Sequence, residues 1–233
     1  ASVICSDKTG TLTENRMTVR QIYSGDKIYD ISGEGYESKG SFSISGKKSD
    51  PLANQSAGMS LLVAAVCTDS ELRPQGGHIS VYGDPTELAL LAVSRKSGID
   101  ISGVRRTGEI PFDTDRKRMS VTVSMSGKGY IFTKGAPDVI LSLCTKISTS
   151  SGIVPLTPEI RSRILSHNEK MGAAALRVIG TAYKEKGASE SSENAEHNLI
   201  FTGLFGMLDP PRKAAYKAVK TCKAAGIKPV MIT

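Results

Sequence analysis

Both ends of this 233-residue chain read as pieces of a parallel α/β sheet, while the long middle reads as antiparallel strands with helices. That contrast limits the fold more than any other feature. At the start, the apolar run Ser2-Val3-Ile4-Cys5 reads as a buried strand feeding Asp7-Lys8-Thr9-Gly10-Thr11-Leu12-Thr13. At the far end, a strand over 199–208 leads into Asp209-Pro210-Pro211-Arg212. A helix over 212–225, closed by Gly226, and a strand over 228–232 follow. Strand, loop, helix and strand in that order belong to parallel α/β sheets.

The middle obeys other rules. Residues 17–23 alternate as a strand, Ser24-Gly25-Asp26 is a turn, and 27–31 returns as the hairpin partner. Residues 32–57 are rich in Gly, Ser and Lys and predict a surface loop. A helix is expected over 58–68, with Leu61, Leu62 and Ala65 on its apolar face. A second begins at Asp84, a good N-cap, with Pro85 in its first turn and Leu88, Leu91 and Ala92 as its stripe. Strands over 105–112, 119–125 and 129–133 have short connections, which makes their sheet antiparallel. Helices over 136–144 and 158–171, a strand over 175–183 and a polar, mobile loop over 184–198 complete the middle. The expected architecture is therefore α/β and α+β. An antiparallel sheet with flanking helices (16–210) is inserted into a Rossmann-type domain shared by 1–15 and 211–233.

Composition removes several classes. Hydrophobic residues make up 39% of the chain, enough for a packed core. The longest apolar stretches are too short to span a bilayer. No signal sequence opens the chain, and residue 1 falls just before a core strand, so the chain is expected to be a segment of something longer. Cys5, Cys67, Cys144 and Cys222 have no paired spacing, which argues against metal clusters and disulfide frameworks. The three histidines form no cluster in sequence. The net charge of +7 would suit nucleic acid, but aromatics are 5%, tryptophan is absent and the basic residues are dispersed. No nucleic-acid partner is expected.

Asp7 sits where open α/β sheets place ligands, past the carboxyl end of a strand. A carboxylate there can attack a phosphoryl group and carry it as an aspartyl phosphate. Lys8, the hydroxyls of Thr9 and Thr11, and amides around Gly10 would supply positive charge and donors. Magnesium is expected, since hard oxygens and phosphate together favour it. Many aspartate-dependent phosphatases place a second carboxylate two residues after the nucleophile, and here that position is Thr9. Without that base the phosphoenzyme should persist until a change of shape releases the phosphate.

The stretch CSDKTGTLTENRMTV at 5–19 resembles the phosphorylation loop of P-type ATPases. Lys134-Gly135-Ala136-Pro137-Asp138 is similar to their KGAP motif, and FDTDRKRMSV at 112–121 to their adenine-pocket segment. Asp209-Pro210-Pro211-Arg212 resembles their hinge, and Met231-Ile232-Thr233 the opening of a motif that continues Gly-Asp. The combination resembles the type II, calcium-pump-like branch. The resemblance implies a nucleotide-binding domain inserted into a partial haloacid-dehalogenase-like phosphorylation domain, with ATP and Mg2+ as cofactors. It further implies a transported cation, membrane helices and an actuator domain elsewhere in a parent chain, and a place at the cytoplasmic face of a membrane.

Roles follow position by position. Asp7 would be phosphorylated and would ligate magnesium. Thr9 would ligate it through its backbone oxygen, with Lys8 and Thr233 completing the catalytic group. Glu87 would contact the adenine amine side, and Phe112 would stack on the base. Lys134 and Gly135 would line the pocket, with Arg177 and Lys117 reaching the phosphates, and Asp209 and Arg212 near the hinge and ribose. Thr114 stands where the family often has arginine, with Arg116 and Arg118 as substitutes for that contact. An acid at position 87 also suits a helix dipole, and Phe112 could be plain core. A soluble haloacid-dehalogenase-type phosphatase, a stand-alone nucleotide-binding module and a basic nucleic-acid binder are the rival readings. The first of these explains Asp7 but neither Phe112 nor Lys134.

Overall fold

The computed structural model describes residues 1–37, 39–75, 78–187 and 195–232. Its main body is an eleven-stranded sheet that is antiparallel in all but one pairing. The strands are β2 (Thr18–Ser24), β3 (Lys27–Ile31), β4 (Phe42–Ile44), β5 (Lys47–Lys48), β8 (Val104–Asp113), β9 (Arg118–Met125), β10 (Lys128–Gly135), β11 (Cys144–Thr149), β12 (Gly152–Pro155), β13 (Arg177–Glu185) and β14 (Leu199–Leu208). The main path runs β5-β4-β3-β2-β14-β13-β10-β9-β8, with β11 joined in parallel to β14 and paired with β12. The antiparallel middle expected from the alternating runs is thus present.

Helices cover both faces. α1 (Gln55–Val66) and α2 (Pro85–Ser97) pack together on one side, and α3 (Pro137–Leu143) and α4 (Pro158–Ala173) on the other. Successive residues of β14 show the division. Phe205 joins Leu61 and Leu90 of α1 and α2, whereas Leu204 joins Ile140 and Ile164 of α3 and α4. β14 is therefore a central strand buried on both sides, which is why its sequence is almost continuously apolar. At Gly203 the sheet admits no side chain. A Cβ there would lie 2.6 Å from the Tyr23 carbonyl and 2.8 Å from Ser60 Oγ on α1.

Local capping explains the helix starts. Asn54 caps α1 by accepting from the Ala57 amide, so the helix begins three residues before the expected 58. Asp84 caps α2 by accepting from Thr86 N and Glu87 N, and left-handed Gly98 ends it. The predicted loop over 32–57 also holds β4, β5 and a 3-10 turn at Pro51–Ala53. Two hairpins were not read from the sequence: β6 (Glu71–Gln75) with β7 (His78–Tyr82), and β11 with β12. The polar run over 184–198 is not simply a loop. Lys184 belongs to β13, and Lys184, Ala195 and Glu196 are buried, while 188–194 fall outside the described residues.

A second, smaller unit joins the two ends. β1 (Val3–Asp7) pairs in parallel with β15 (Lys228–Ile232), with α5 (Lys213–Ala224) preceding β15. The expectation of a buried first strand is corrected here. Val3 is 47% and Ile4 41% exposed, because β15 is the one sheet partner of β1 among the described residues and α5, which packs on β15, leaves them uncovered. We expect Gly203→Ala to destabilise the chain by about 1–3 kcal/mol through overpacking. Urea unfolding would measure it, and an unchanged midpoint would contradict the packing described.

Candidate functional site

A cavity of about 340 Å³ opens where the N-terminus of α2 meets the ends of β8, β10 and β13. Asp84, Thr86, Glu87 and Leu90 of the α2 region form one wall. Lys134 and Gly135 come from β10, Arg177 and Ile179 from β13, and Phe112 from β8. Five residues singled out from sequence (Glu87, Phe112, Lys134, Gly135 and Arg177) therefore meet in one place.

A buried ion pair joins two of these walls. Lys134 Nζ donates to Glu87 Oε1 at 2.6 Å, with side chains 8% and 16% exposed. The other carboxylate oxygen of Glu87 accepts from Ser70 Oγ at 2.7 Å, and from Thr68 Oγ1 and the Asp69 amide at 3.1 Å each. Burial alone would raise the Glu87 pKa. The adjacent Lys134 ammonium and the hydrogen bonds from Lys134, Ser70 and Asp69 outweigh it and hold the carboxyl below its ordinary range. Ser70 Oγ also accepts from the Asp84 amide at 3.0 Å, which links this network to the α2 cap. Thr68, Asp69 and Ser70 carry no sequence signal of their own. They lie between α1 and β6, where the expected helix closed at Thr68, and Asp69 and Ser70 were left unassigned.

Phe112 is 59% exposed at the rim, so it is not plain core. It lies in an irregular stretch of the β8–β9 ladder, between the pairs Ile110–Ser120 and Asp113–Arg118. Arg177 is exposed and donates to Thr86 Oγ1 at 3.1 Å. Gly135 is required by the sheet itself, since a Cβ there would sit 2.4 Å from the Lys117 carbonyl. Thr114 and Lys117 are exposed in the β8–β9 turn and do not line the cavity. Arg116 and Arg118, expected to stand in for the missing arginine at 114, are engaged by Glu196 instead.

The remaining residues gather elsewhere. Asp7 ends β1, and Asp7, Lys8 and Thr9 are exposed, followed by left-handed Gly10. The Asp7 carboxylate has no hydrogen-bond donor among the described residues. Asp209 and Arg212 fix the crossing between this loop and the second connection to the main sheet. Asp209 accepts from Thr13 Oγ1 at 2.5 Å and from the Arg16 amide at 3.1 Å. Arg212 donates to the carbonyls of Thr13 and Gly10, both at 2.9 Å. Thr233 lies outside the described residues. Among the described residues no group of His, Cys, Asp and Glu side chains is placed to hold a metal, and none of the helices is long and apolar enough to cross a membrane.

Two-sided helical cover on an antiparallel sheet, with a lysine–glutamate floor and an exposed phenylalanine at its rim, defines a module with a ligand-sized cavity. Residues 59–214 match the family described as P-type ATPase, cytoplasmic domain N, and the chain belongs to that family. It is similar over its whole length to a calcium-transporting ATPase of Bacillus subtilis, 40% identical over 240 residues and 27% of that protein. A calcium-transporting ATPase of Listeria monocytogenes is 38% identical, with 25% of its length covered. The human calcium-transporting ATPase type 2C member 2 is 34% identical, with 24% of its length covered. The chain thus spans about a quarter of these relatives.

The Glu87 environment has a pH consequence. Its folded pKa lies below the ordinary value of 4.5, so the pair contributes fully above that pH and is lost as pH falls through the folded value. We expect Glu87→Gln to lower stability at neutral pH by about 3 kcal/mol and to flatten the loss of stability below pH 4.5. Urea midpoints from pH 7 to pH 3 for both chains measure this. Parallel acid slopes would rule out the stated role of Glu87.

Proposed function

We propose that the chain is the ATP-binding and phosphorylation region of a P-type ATPase that couples ATP hydrolysis to cation movement across a membrane. Calcium is the favoured cation, since the relatives named above are calcium-transporting ATPases. The cavity carries the reading, because it sets an exposed phenylalanine beside a buried lysine–glutamate pair. A purine is flat, apolar on its faces and polar at its edges. Phe112 offers a ring to a face, and Glu87 Oε1 and Lys134 Nζ offer an acceptor and a donor to an edge. Arg177 offers charge to phosphates at the other side of the opening.

On this reading, residues 16–210 form the nucleotide-binding domain, and 1–15 with 211–233 belong to a haloacid-dehalogenase-like phosphorylation domain. The parallel β1–β15 pair with α5 supports that assignment. Asp7 Oδ attacks the terminal phosphorus, an O–P bond forms, and the bond to the departing ADP oxygen breaks. The exposed Asp7 carboxylate and the Thr9 carbonyl are hard oxygens that suit magnesium, which keeps most of its waters. When bound, the ion neutralises phosphate charge during transfer. Lys8 adds positive charge beside the carboxylate. With threonine at position 9, no second carboxylate is at hand to activate water, so the aspartyl phosphate is long-lived. Membrane helices, an actuator domain and the remaining catalytic residues would come from the parent protein, with this region at its cytoplasmic face.

Calorimetric titration of the chain with ATP tests the first part. Phe112→Ala should weaken binding about tenfold, in line with the loss of one stacking face, while leaving the fold intact. Absence of ATP binding would overturn the reading. We further expect the isolated chain to gain little acid-stable label from radiolabelled ATP and magnesium. Strong labelling at Asp7 would show that it transfers phosphate unaided.

A further inference from the structure

The rim of the cavity poses a mechanical problem. Phe112 lies where the β8–β9 register slips, and it follows Pro111, which has no N–H to give to a ladder. Its direction is therefore set by the turn that follows it. In that turn Asp113 Oδ1 accepts from the amides of Asp115 and Arg116, both at 2.9 Å. Lys117 adopts φ +52°, a left-handed conformation that a long side chain seldom takes and that persists only where surrounding bonds hold it.

Those bonds converge on one carboxylate. Glu196 lies just before β14 and is 7% exposed. Its Oε1 accepts from Arg116 Nη2 at 2.5 Å and from Ser120 Oγ at 2.7 Å. Its Oε2 accepts from Arg118 Nε at 2.7 Å. The two arginines flank Lys117, so a single buried anion grips the turn on both sides of its strained residue. The Lys117 carbonyl meanwhile accepts from the Ala136 amide at 3.0 Å, at the end of the strand that supplies Lys134 and Gly135.

We propose that Glu196 is a positioning residue of the nucleotide cavity: it touches no ligand, and it aims Phe112 by locking the 113–118 turn through Arg116 and Arg118. The inference rests on the nucleotide-binding reading above. A misplaced stacking ring forfeits affinity even though every contacting residue is still present.

ATP titration of four chains tests it: the unsubstituted chain, Glu196→Gln, Phe112→Ala and the double variant, each checked for cooperative thermal unfolding. Glu196→Gln should weaken ATP binding about tenfold when Phe112 is present and less than about twofold when it is alanine, the coupling expected of residues that act as one unit. A merely structural role would weaken binding equally in both backgrounds, and that result would overturn the proposal. So would an unchanged affinity in Glu196→Gln. If Glu196→Gln fails to unfold cooperatively, Arg116→Met serves the same comparison, because it keeps the Arg118–Glu196 pair. Failure of the unsubstituted chain to bind ATP would instead bring down the nucleotide reading, and this inference with it.

Discussion

The buried pair of Lys134 and Glu87 is the interaction on which the cavity depends. An ammonium and a carboxylate taken out of water together cost several kcal/mol unless their remaining valences are met. Here the cost is offset by geometry: one carboxylate oxygen takes the lysine, and the other takes three donors from the 68–70 segment. The pair also connects elements distant in sequence. Lys134 is delivered by a strand in the middle of the sheet and Glu87 by the first turn of a helix on its face. Removing either partner would leave a charge stranded at the point where the sheet, α2 and the β6–β7 hairpin come together.

Much of the fold was legible because it is governed by local rules. Asp84 with Pro85 announced a helix start, Gly226 marked a helix end, and alternation with turn signals gave β2, β3, β9 and β10. The β6–β7 and β11–β12 hairpins were not legible, since one strand of each, β6 (ELRPQ) and β11 (CTKIST), holds few apolar residues. β1 misled for the opposite reason. Its residues are apolar enough for a core, but its exposure depends on layers that only tertiary structure reveals.

The site divides along the same line. Residues that would touch a ligand carried recognisable patterns, whereas residues that hold them did not. Ser70, Thr68 and Thr86 are ordinary hydroxyls in polar surroundings, and their roles come from where the chain brings them. Glu196 is the sharpest case. It follows a run of Ser, Glu and Asn that looks solvated, yet its side chain is buried and satisfies two guanidinium groups. A carboxylate paired across about 80 positions of sequence leaves no periodicity to read.

The crossing of the two connections brings a last point into view. Thr13 and Asp209 are 196 positions apart yet share a hydrogen bond, and Glu14 N donates to the Pro210 carbonyl at 3.0 Å. The large sheet therefore leaves and re-enters the small unit through one doorway, with its two strands of chain side by side. A body whose ends coincide can be lifted out of one protein and seated in a surface loop of another without stretching either. That geometry makes the sheet and its helices a transplantable cartridge, and it fixes where any graft should be cut.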